Sequence, residues 1–295
     1  MSWVDFIDAH PYITIFVILL LQLPIIYQTS EKGKYFIKIS LFYLSILSAG
    51  FPSVLTTIPT YFQCRGAIWA FRTFQFFTFW LDIDVEIRGK DKLECNGQVV
   101  IVSNHQSSID VVGMAKCWPD RCVVMMKNSL KWIPGFNVAA VFSNTIFVNR
   151  FNHEKAQEAL KFAAKTMSER NLKIWVFPEG TRAAKGMLPF KKGAFNIAIR
   201  AGIPVIPVVF SSYDPFYSKE KRYFHDNGQV IAQVLDPIST KGLSIDDAPA
   251  LADRVRSIML EVFEKISVEA EEKQKITNEK FHQKTAEASM KKADK

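Results

Sequence analysis

The sequence has few cysteines and none of the motifs that mark the common cofactor-dependent enzymes. Its four cysteines form no CxxC pair and have no nearby histidine cluster, which disfavours a zinc site or a disulfide framework and favours reduced intracellular thiols. The G-x-G-x-x-G, Walker and G-x-S-x-G motifs are all missing from its 295 residues. These absences exclude the commonest dinucleotide-binding, P-loop and hydrolase classes.

Acidic residues are outnumbered by basic ones. The chain has 37 Lys and Arg against 29 Asp and Glu, for a formal net charge of +8. Residues 264–295 hold eight lysines and seven acidic residues, so the excess lies almost entirely in residues 1–263. A phosphorylated substrate, an anionic membrane surface or nucleic acid would each suit this charge.

The N-terminal third is apolar enough to enter a membrane. Residues 11–27 carry no charge, although their length is near the lower limit for crossing a hydrocarbon core of about 30 Å. Residues 36–62 form a second apolar stretch with one charge, Lys38, and two prolines. We predict a membrane helical hairpin over residues 1–65, which either spans the bilayer or enters and returns. A cleaved signal peptide is disfavoured, because the first ten residues contain two Asp and no Lys or Arg.

The next segment is rich in aromatic residues. Residues 66–83 read GAIWAFRTFQFFTFWLDI. This composition is typical of an amphipathic helix at the membrane interface. Packing against a soluble domain explains it equally well.

From residue 84 onward, short β-branched runs alternate with helical stretches. The predicted strands are DVEIRG, QVVIVSN, CVVMM, TIFVN, LKIWVF, IPVIPVVF and QVIAQVL. Predicted helices include residues 154–170, 191–200 and 247–265. This alternation predicts an α/β domain over residues 84–266, with a sheet buried on both faces. The charged tail, 267–295, is predicted to be solvated helix or disorder.

A histidine and an aspartate stand five residues apart in NHQSSID, residues 104–110. On one continuous helix that spacing separates them by about 140°. They can meet if His105 lies in a loop and Asp110 in the first turns of the following helix. The carboxylate would then hold one imidazole nitrogen and leave the other to accept a proton. A purely structural hydrogen bond is an equally good explanation.

Ser107 and Ser108 are the candidates for a nucleophile beside this histidine. We interpret them instead as residues that start a helix. A histidine base without a protein nucleophile would deprotonate a group brought by the substrate, such as an alcohol. A lipid hydrolase that uses one of the serines remains an alternative.

FPEGTR, residues 177–182, follows a predicted strand and should lie at its C-terminal end, where open α/β sheets bind ligands. Gly180 permits a left-handed turn. Arg182 offers a planar fork for a phosphate, and Glu179 could orient Arg182 or hold the substrate. The alternative is a strand-end turn with a surface salt bridge.

Together the two motifs make the sequence resemble the glycerolipid acyltransferases. NHQSSID matches their NHxxxxD motif, FPEGTR matches their FPEGTR motif, and the likeness continues through MLPFKKGAFNIAIRAGIPVIPVV. In particular, residues 84–240 resemble the membrane-type 1-acylglycerol-3-phosphate (lysophosphatidic acid) acyltransferases of eukaryotes. The resemblance implies a mixed sheet flanked by helices, with the membrane hairpin at the N-terminus.

The resemblance also implies roles for single residues. His105 would be the general base and Asp110 its orienting partner. The substrate-binding positions would be Lys127, Arg150, Glu179, Gly180, Thr181 and Arg182. Arg150 belongs to a further family motif, which corresponds here to NTIFVNR, residues 144–150. In NTIFVNR the sequence departs from the usual pattern: Asn144 replaces a glycine and Asn149 an acidic residue.

The implied reaction transfers an acyl group from acyl-CoA, a co-substrate, to the sn-2 hydroxyl of 1-acylglycerol 3-phosphate. No metal or other cofactor is implied. The expected partners are these substrates and a lipid bilayer, not nucleic acid, and the expected location is the endoplasmic reticulum membrane with the catalytic domain in the cytosol. An acyltransferase for glycerol 3-phosphate or another lysophospholipid, and a non-catalytic phosphatidic acid-binding protein, remain alternatives.

Overall fold

The computed structural model of the protein describes residues 9–149 and 153–293. Its α-helices are α1 (Pro11–Thr29), α2 (Glu31–Thr57), α3 (Gly66–Phe77), α4 (Asp110–Cys117), α5 (Phe136–Phe142), α6 (His153–Arg170), α7 (Gly193–Ala201) and α8 (Ala248–Ala293). Its strands are β1 (Ile83–Arg88), β2 (Val100–Ser103), β3 (Cys122–Lys127), β4 (Ile146–Val148), β5 (Lys173–Val176), β6 (Val205–Phe210), β7 (Tyr217–Ser218), β8 (Tyr223–Phe224) and β9 (Gly228–Val234). Every predicted strand recurs among them.

The two N-terminal helices form a tight hairpin. Ser30 ends α1 and begins α2, and its side-chain oxygen accepts the Gly33 N–H as an N-cap. Both helices are long and apolar enough to cross a membrane by length and composition.

The two helices differ in what they contact. In the described chain, α1 buries none of its residues, whereas α2 buries one face against the domain that follows. The buried positions of α2 are Tyr35, Lys38, Phe42, Ala49, Gly50, Ser53 and Thr57. Most of them recur at intervals of three, four or seven, as a stripe along a helix does. The outward sides of both helices are apolar and exposed, and so available to lipid.

Helix α3 packs beside α2. The rings of Phe42 and Phe74 lie 6.3 Å apart, centroid to centroid, in an edge arrangement. On the other side, Phe76 is 74% exposed. The segment also packs on the α/β domain, where the rings of Phe71 and Trp118 lie 4.7 Å apart, as one of the two alternatives predicted. Contact of its exposed face with the membrane interface stays a prediction.

In the described part of the chain, seven strands form one mixed sheet in the order β1-β9-β6-β2-β5-β3-β4. Neighbouring strands are parallel except β6 and β9, which are antiparallel. The central strands β2, β5 and β6 are buried along their whole length, as expected for a sheet with helices on both faces. The predicted mixed α/β fold is thus confirmed.

Helix α8 is longer than the closing helix predicted at residues 247–265. It runs to Ala293 and passes through residue 266 without a break. Gln274 anchors it beyond that point, because its side chain accepts the Gln229 N–H and donates to the Asn227 carbonyl. Past this anchor the helix is mostly exposed, so the described part of the tail, residues 267–293, is a solvated helix.

Candidate active site

The two motifs lie on neighbouring strands at one edge of the sheet. Strands β2, β3, β4, β5 and β6 run in the same direction, so their C-terminal ends meet at this edge. NHQSSID follows β2 and FPEGTR follows its neighbour β5. Lys127 ends β3, which is the next strand along, and its side chain is exposed. The sheet order therefore places the predicted base, the second motif and a predicted phosphate ligand in a row.

His105 and Asp110 are in direct contact. His105 Nδ1 lies 2.6 Å from Asp110 Oδ2, with His105 in the loop and Asp110 as the first residue of α4. The backbone N–H groups of Gln106 and Ser107 donate to the same carboxylate oxygen at 3.0 and 3.2 Å. The Asp110 side chain is only 3% exposed, and these donors together with the N-terminus of α4 stabilise its charge.

This contact sets the chemistry of the imidazole. A carboxylate only accepts hydrogen bonds, so the Nδ1 atom of His105 carries the hydrogen and Nε2 is left as an acceptor. The ring stacks on Phe177, with centroids 4.1 Å apart and planes inclined by 25°. Its side chain is 18% exposed. The ring is thus held by Asp110 and Phe177 and remains partly exposed to solvent.

Glu179 connects the two motifs. Its Oε1 accepts the His105 N–H at 2.7 Å and its Oε2 accepts the Leu188 N–H at 2.8 Å. The Ala183 N–H in turn donates to the His105 carbonyl at 2.8 Å. Burial raises the pKa of the Glu179 carboxyl, although its two backbone donors oppose the shift.

Glu179 was predicted to orient Arg182 or to hold the substrate, but both of its carboxylate oxygens accept backbone N–H groups instead. The buried carboxylate faces the backbone of its own protein, while Thr181 and Arg182 are exposed beside it. No sequence signal marks the difference, because the contact depends on how two loops 74 residues apart meet. The substrate-binding roles of Thr181 and Arg182 stay predictions.

Gly180 makes the left-handed turn that the FPEGTR motif predicted. Its φ is +72°, in the left-handed region, and its N–H donates to the Phe177 carbonyl at 3.1 Å. A Cβ atom at this position would lie 2.8 Å from Lys191 Nζ. The left-handed conformation therefore disfavours any other residue here, and a side chain would also displace the flexible end of Lys191, a second cation that lies against the turn.

The two serines make contacts away from the imidazole. Ser107 Oγ accepts the Ile109 N–H at 3.0 Å, and Ser108 Oγ lies 2.9 Å from the Tyr43 hydroxyl of α2. These contacts agree with the interpretation that the serines lead into helix α4. They disfavour either serine as the nucleophile of a hydrolase.

Asn104 has a structural role that sequence reasoning missed. Its amide donates to the Phe210 carbonyl at 2.9 Å and accepts the Phe210 N–H at 2.8 Å. Gln106 adds a bond to the Ser211 carbonyl at 2.9 Å. The loop that carries His105 is therefore clamped to the end of β6.

Comparisons with known proteins agree with this geometry. Residues 84–211 match the family model described as acyltransferase. A Caenorhabditis elegans protein, provisionally named 1-acyl-sn-glycerol-3-phosphate acyltransferase acl-2, is 46% identical over 250 residues, which cover 84% of this chain and 89% of that protein. This chain belongs to the 1-acyl-sn-glycerol-3-phosphate acyltransferase family. Human 1-acyl-sn-glycerol-3-phosphate acyltransferase alpha is 45% identical over 188 residues, or 63% of this chain and 66% of the human protein.

A solved structure shows the same fold. The crystal structure of the 1-acyl-sn-glycerophosphate acyltransferase PlsC from Thermotoga maritima covers 80% of this chain and 97% of its own, with a TM-score of 0.63 and 24% identity. The arrangement of sheet and helices is therefore that of a known acyltransferase.

One of the two departures in the NTIFVNR motif of this acyltransferase has a structural reason. Asn144 has a φ of +57°, a left-handed conformation that asparagine tolerates better than most residues other than glycine. Its side chain donates to the Tyr61 carbonyl at 3.1 Å and accepts from Arg170 Nη1 at 3.0 Å. Asn144 thus joins the segment after α2 to the end of α6. Arg150 lies outside the described residues, so its predicted role stays a prediction.

A cleft adjoins the NTIFVNR motif of the acyltransferase. A cleft of about 610 Å³ lies at the ends of β3 and β4 and next to α6. It is lined by Asn128, Lys131, Thr145, Ile146, Phe147, Asn149, Glu158, Ala159 and Phe162. Asn149, which replaces the family's acidic residue, therefore lies in the wall of this cleft.

Proposed function

We propose that the protein transfers an acyl group from acyl-CoA to the sn-2 hydroxyl of 1-acylglycerol 3-phosphate and forms phosphatidic acid. The observation that carries this proposal is the hydrogen bond of His105 Nδ1 to the buried Asp110, which leaves Nε2 to accept a proton. Membership of the family supports the acceptor, since the relatives are named for it.

In the proposed reaction, His105 Nε2 takes the hydroxyl proton as the acceptor oxygen attacks the thioester carbonyl. The tetrahedral intermediate then collapses, the carbon–sulfur bond breaks, and the thiolate of CoA receives the proton from the imidazolium. Asp110 stabilises the imidazolium between these steps. The hydroxyl of the lipid is itself the nucleophile, so no acyl-enzyme is formed.

The acceptor phosphate would bind to cations along the same edge. Arg182 follows the turn of the second motif, and Lys191 lies against Gly180. Lys127 ends the next strand, and neighbouring strands lie about 4.8 Å apart. We propose Lys127 and Arg182 as ligands of the phosphate and assign Glu179 to positioning the two motifs. Arg150, outside the described residues, stays a predicted substrate-binding residue.

Membrane attachment serves this reaction because both substrates carry long acyl chains that partition into bilayers. The exposed apolar surface of α1 and the outward face of α2 are the proposed lipid contacts. We further propose that the protein is in the endoplasmic reticulum membrane, with the catalytic domain on the cytosolic side.

The test is acyl transfer by purified protein in liposomes, with oleoyl-CoA and 1-acylglycerol 3-phosphate as substrates. We expect phosphatidic acid and CoA from the wild type, and none above background from His105→Ala. His282→Ala is the matched control, because that histidine lies on the exposed part of α8. CoA released without acylated lipid would indicate a hydrolase, and no turnover with any lysolipid would favour a non-catalytic binding protein. Competition with glycerol 3-phosphate and other lysophospholipids defines the acceptor.

A further inference from the structure

Asp226 joins the helical hairpin to the catalytic domain. It lies in the turn between β8 and β9, and its Oδ2 accepts a hydrogen bond from Lys34 Nζ at 2.6 Å. Its Oδ1 accepts from Lys38 Nζ at 2.8 Å and from the Tyr27 hydroxyl at 3.2 Å. A single carboxylate thus takes donors from both hairpin helices.

Lys38 is an unusual residue for the place it occupies. It is 2% exposed and is the one charged residue between positions 36 and 62. Besides Asp226, its ammonium donates to the His225 carbonyl at 2.9 Å and lies 4.3 Å from the centre of the Phe224 ring. Burying an ammonium group carries a desolvation cost that an apolar side chain of similar size avoids. The Asp226 side chain itself is 42% exposed, so it is the buried ammonium of Lys38 that needs this partner. Lys38 reaches Asp226 and the His225 carbonyl in one register of α2 only, so these contacts fix how α2 packs on the domain.

The register of α2 matters for the candidate active site. Tyr43 lies five residues after Lys38, or about 7.5 Å along the helix at 1.5 Å per residue. Its hydroxyl lies 2.9 Å from Ser108 Oγ, and Ser108 stands between His105 and Asp110 in the first motif. A rotation of α2 by one residue, about 100°, would take Tyr43 away from this contact.

The other end of α2 is also fixed, by a close approach of two backbones. A Cβ atom on Gly50 would lie 2.7 Å from the carbonyl carbon of Gly135. Helix α2 therefore has an ionic anchor near one end and a close-packed anchor near the other, and the Tyr43 contact lies between them.

We propose that Asp226 is a positioning residue for acyl transfer: it holds α2 in the register that places Tyr43 on Ser108 beside the His105–Asp110 pair. This inference rests on the proposed function. It differs from simple membrane anchoring, because the apolar hairpin would still bind lipid without Asp226 while the first motif would lose its contact with Tyr43.

The kinetic test compares purified full-length wild type with Asp226→Asn, Tyr43→Phe and the double variant. Each variant is assayed with two substrate pairs: a short-chain, water-soluble acceptor and donor, and a long-chain acceptor and donor in vesicles. Each single variant should lower kcat for both substrate pairs by about tenfold or more, since misplacing reacting groups by about 1 Å can cost 100-fold. The double variant should have about the same kcat as the less active of the two single variants, because both changes break the same contact. Asp236→Asn is the matched control, an 87% exposed aspartate paired with Lys92.

Independent losses in the double variant, or a loss confined to vesicle substrates, would overturn the proposal. A readout that needs no turnover is hydrogen exchange at the amides of residues 105–107, which donate to Glu179 and Asp110. Exchange there should rise in Asp226→Asn and stay at the wild-type rate in Asp236→Asn. Unchanged exchange would contradict the proposal, whereas a wild type without turnover would contradict only the proposed function. If Asp226→Asn does not fold, Asp226→Glu keeps the charge and should show intermediate exchange and kcat; wild-type values for both would overturn the proposal.

Discussion

Replacing Glu179 with glutamine tests how the two motifs are held together. Both carboxylate oxygens accept a backbone N–H, one from His105 and one from Leu188. Glutamine keeps one carbonyl oxygen and turns an NH₂ group toward the other donor. A hydrogen bond to a charged group contributes about 1.5–3 kcal/mol, and one is lost. Removal of a buried charge offsets part of this loss, so we expect the free energy of unfolding to fall by about 1–2 kcal/mol.

The same substitution has a predictable pH dependence. Burial raises the pKa of Glu179, so the folded protein binds this proton more tightly than the unfolded chain, in which Glu titrates near about 4.3. The contribution of the group to stability therefore falls as the pH rises from the unfolded pKa to the higher folded pKa. Glutamine does not titrate, so acidification through that window should stabilise the wild type relative to Glu179→Gln.

The assay is thermal unfolding in detergent from neutral pH down to about pH 4.5, together with kcat and KM for the lysolipid. Glu220→Gln, an exposed residue between β7 and β8, is the matched control. We expect Glu179→Gln to lower kcat more than it changes KM, because the His105 loop moves while the phosphate ligands remain. A Glu179→Gln variant with wild-type melting at each pH and wild-type kcat would refute the role of Glu179 as the link.

Two further substitutions test the geometry of the candidate site. Gly180→Ala places a Cβ 2.8 Å from Lys191 Nζ at a φ of +72°. We expect this strained backbone to destabilise the fold by about 1–2 kcal/mol, measured as a lower melting temperature. An unchanged melting temperature would mean that the turn relaxes. Asp110→Asn keeps the size of the side chain but removes the charge that orients His105, and should lower kcat by about 10⁴-fold, as in serine protease triads, with little change in acceptor KM. A loss below tenfold would show that the aspartate has only a structural role.

Much of the fold follows from local patterns in the sequence. Runs such as QVVIVSN and LKIWVF are short and mostly apolar, with several β-branched residues, which predicts central strands, and they form β2 and β5. The helix at residues 154–170 is predicted to within one residue of α6. The extent of α8 could not be predicted, because its anchor is a pair of hydrogen bonds from Gln274 to Asn227 and to Gln229 at the start of β9, 47 and 45 residues earlier.

The geometry of NHQSSID could be predicted from the sequence more fully than that of FPEGTR. The sequence predicted that His105 and Asp110 can meet if the histidine lies in a loop and the aspartate in the first turns of a helix, and the structure has that arrangement. Glu179 was instead expected to face Arg182 or the substrate. Its actual partner is the His105 backbone, and the position of that backbone depends on the clamp between Asn104 and Phe210.

The sequence alone therefore determined the alternating α/β domain, the apolar hairpin, the two motifs and the family that they resemble, because each depends on residues close together in the chain. The tertiary structure decided that Glu179 links the motifs, that Tyr43 reaches Ser108, and that Lys38 is buried on Asp226. These contacts join residues 74, 65 and 188 positions apart. Local periodicity carries no information at such separations. Only the packing of the hairpin and the sheet brings these side chains to the same edge.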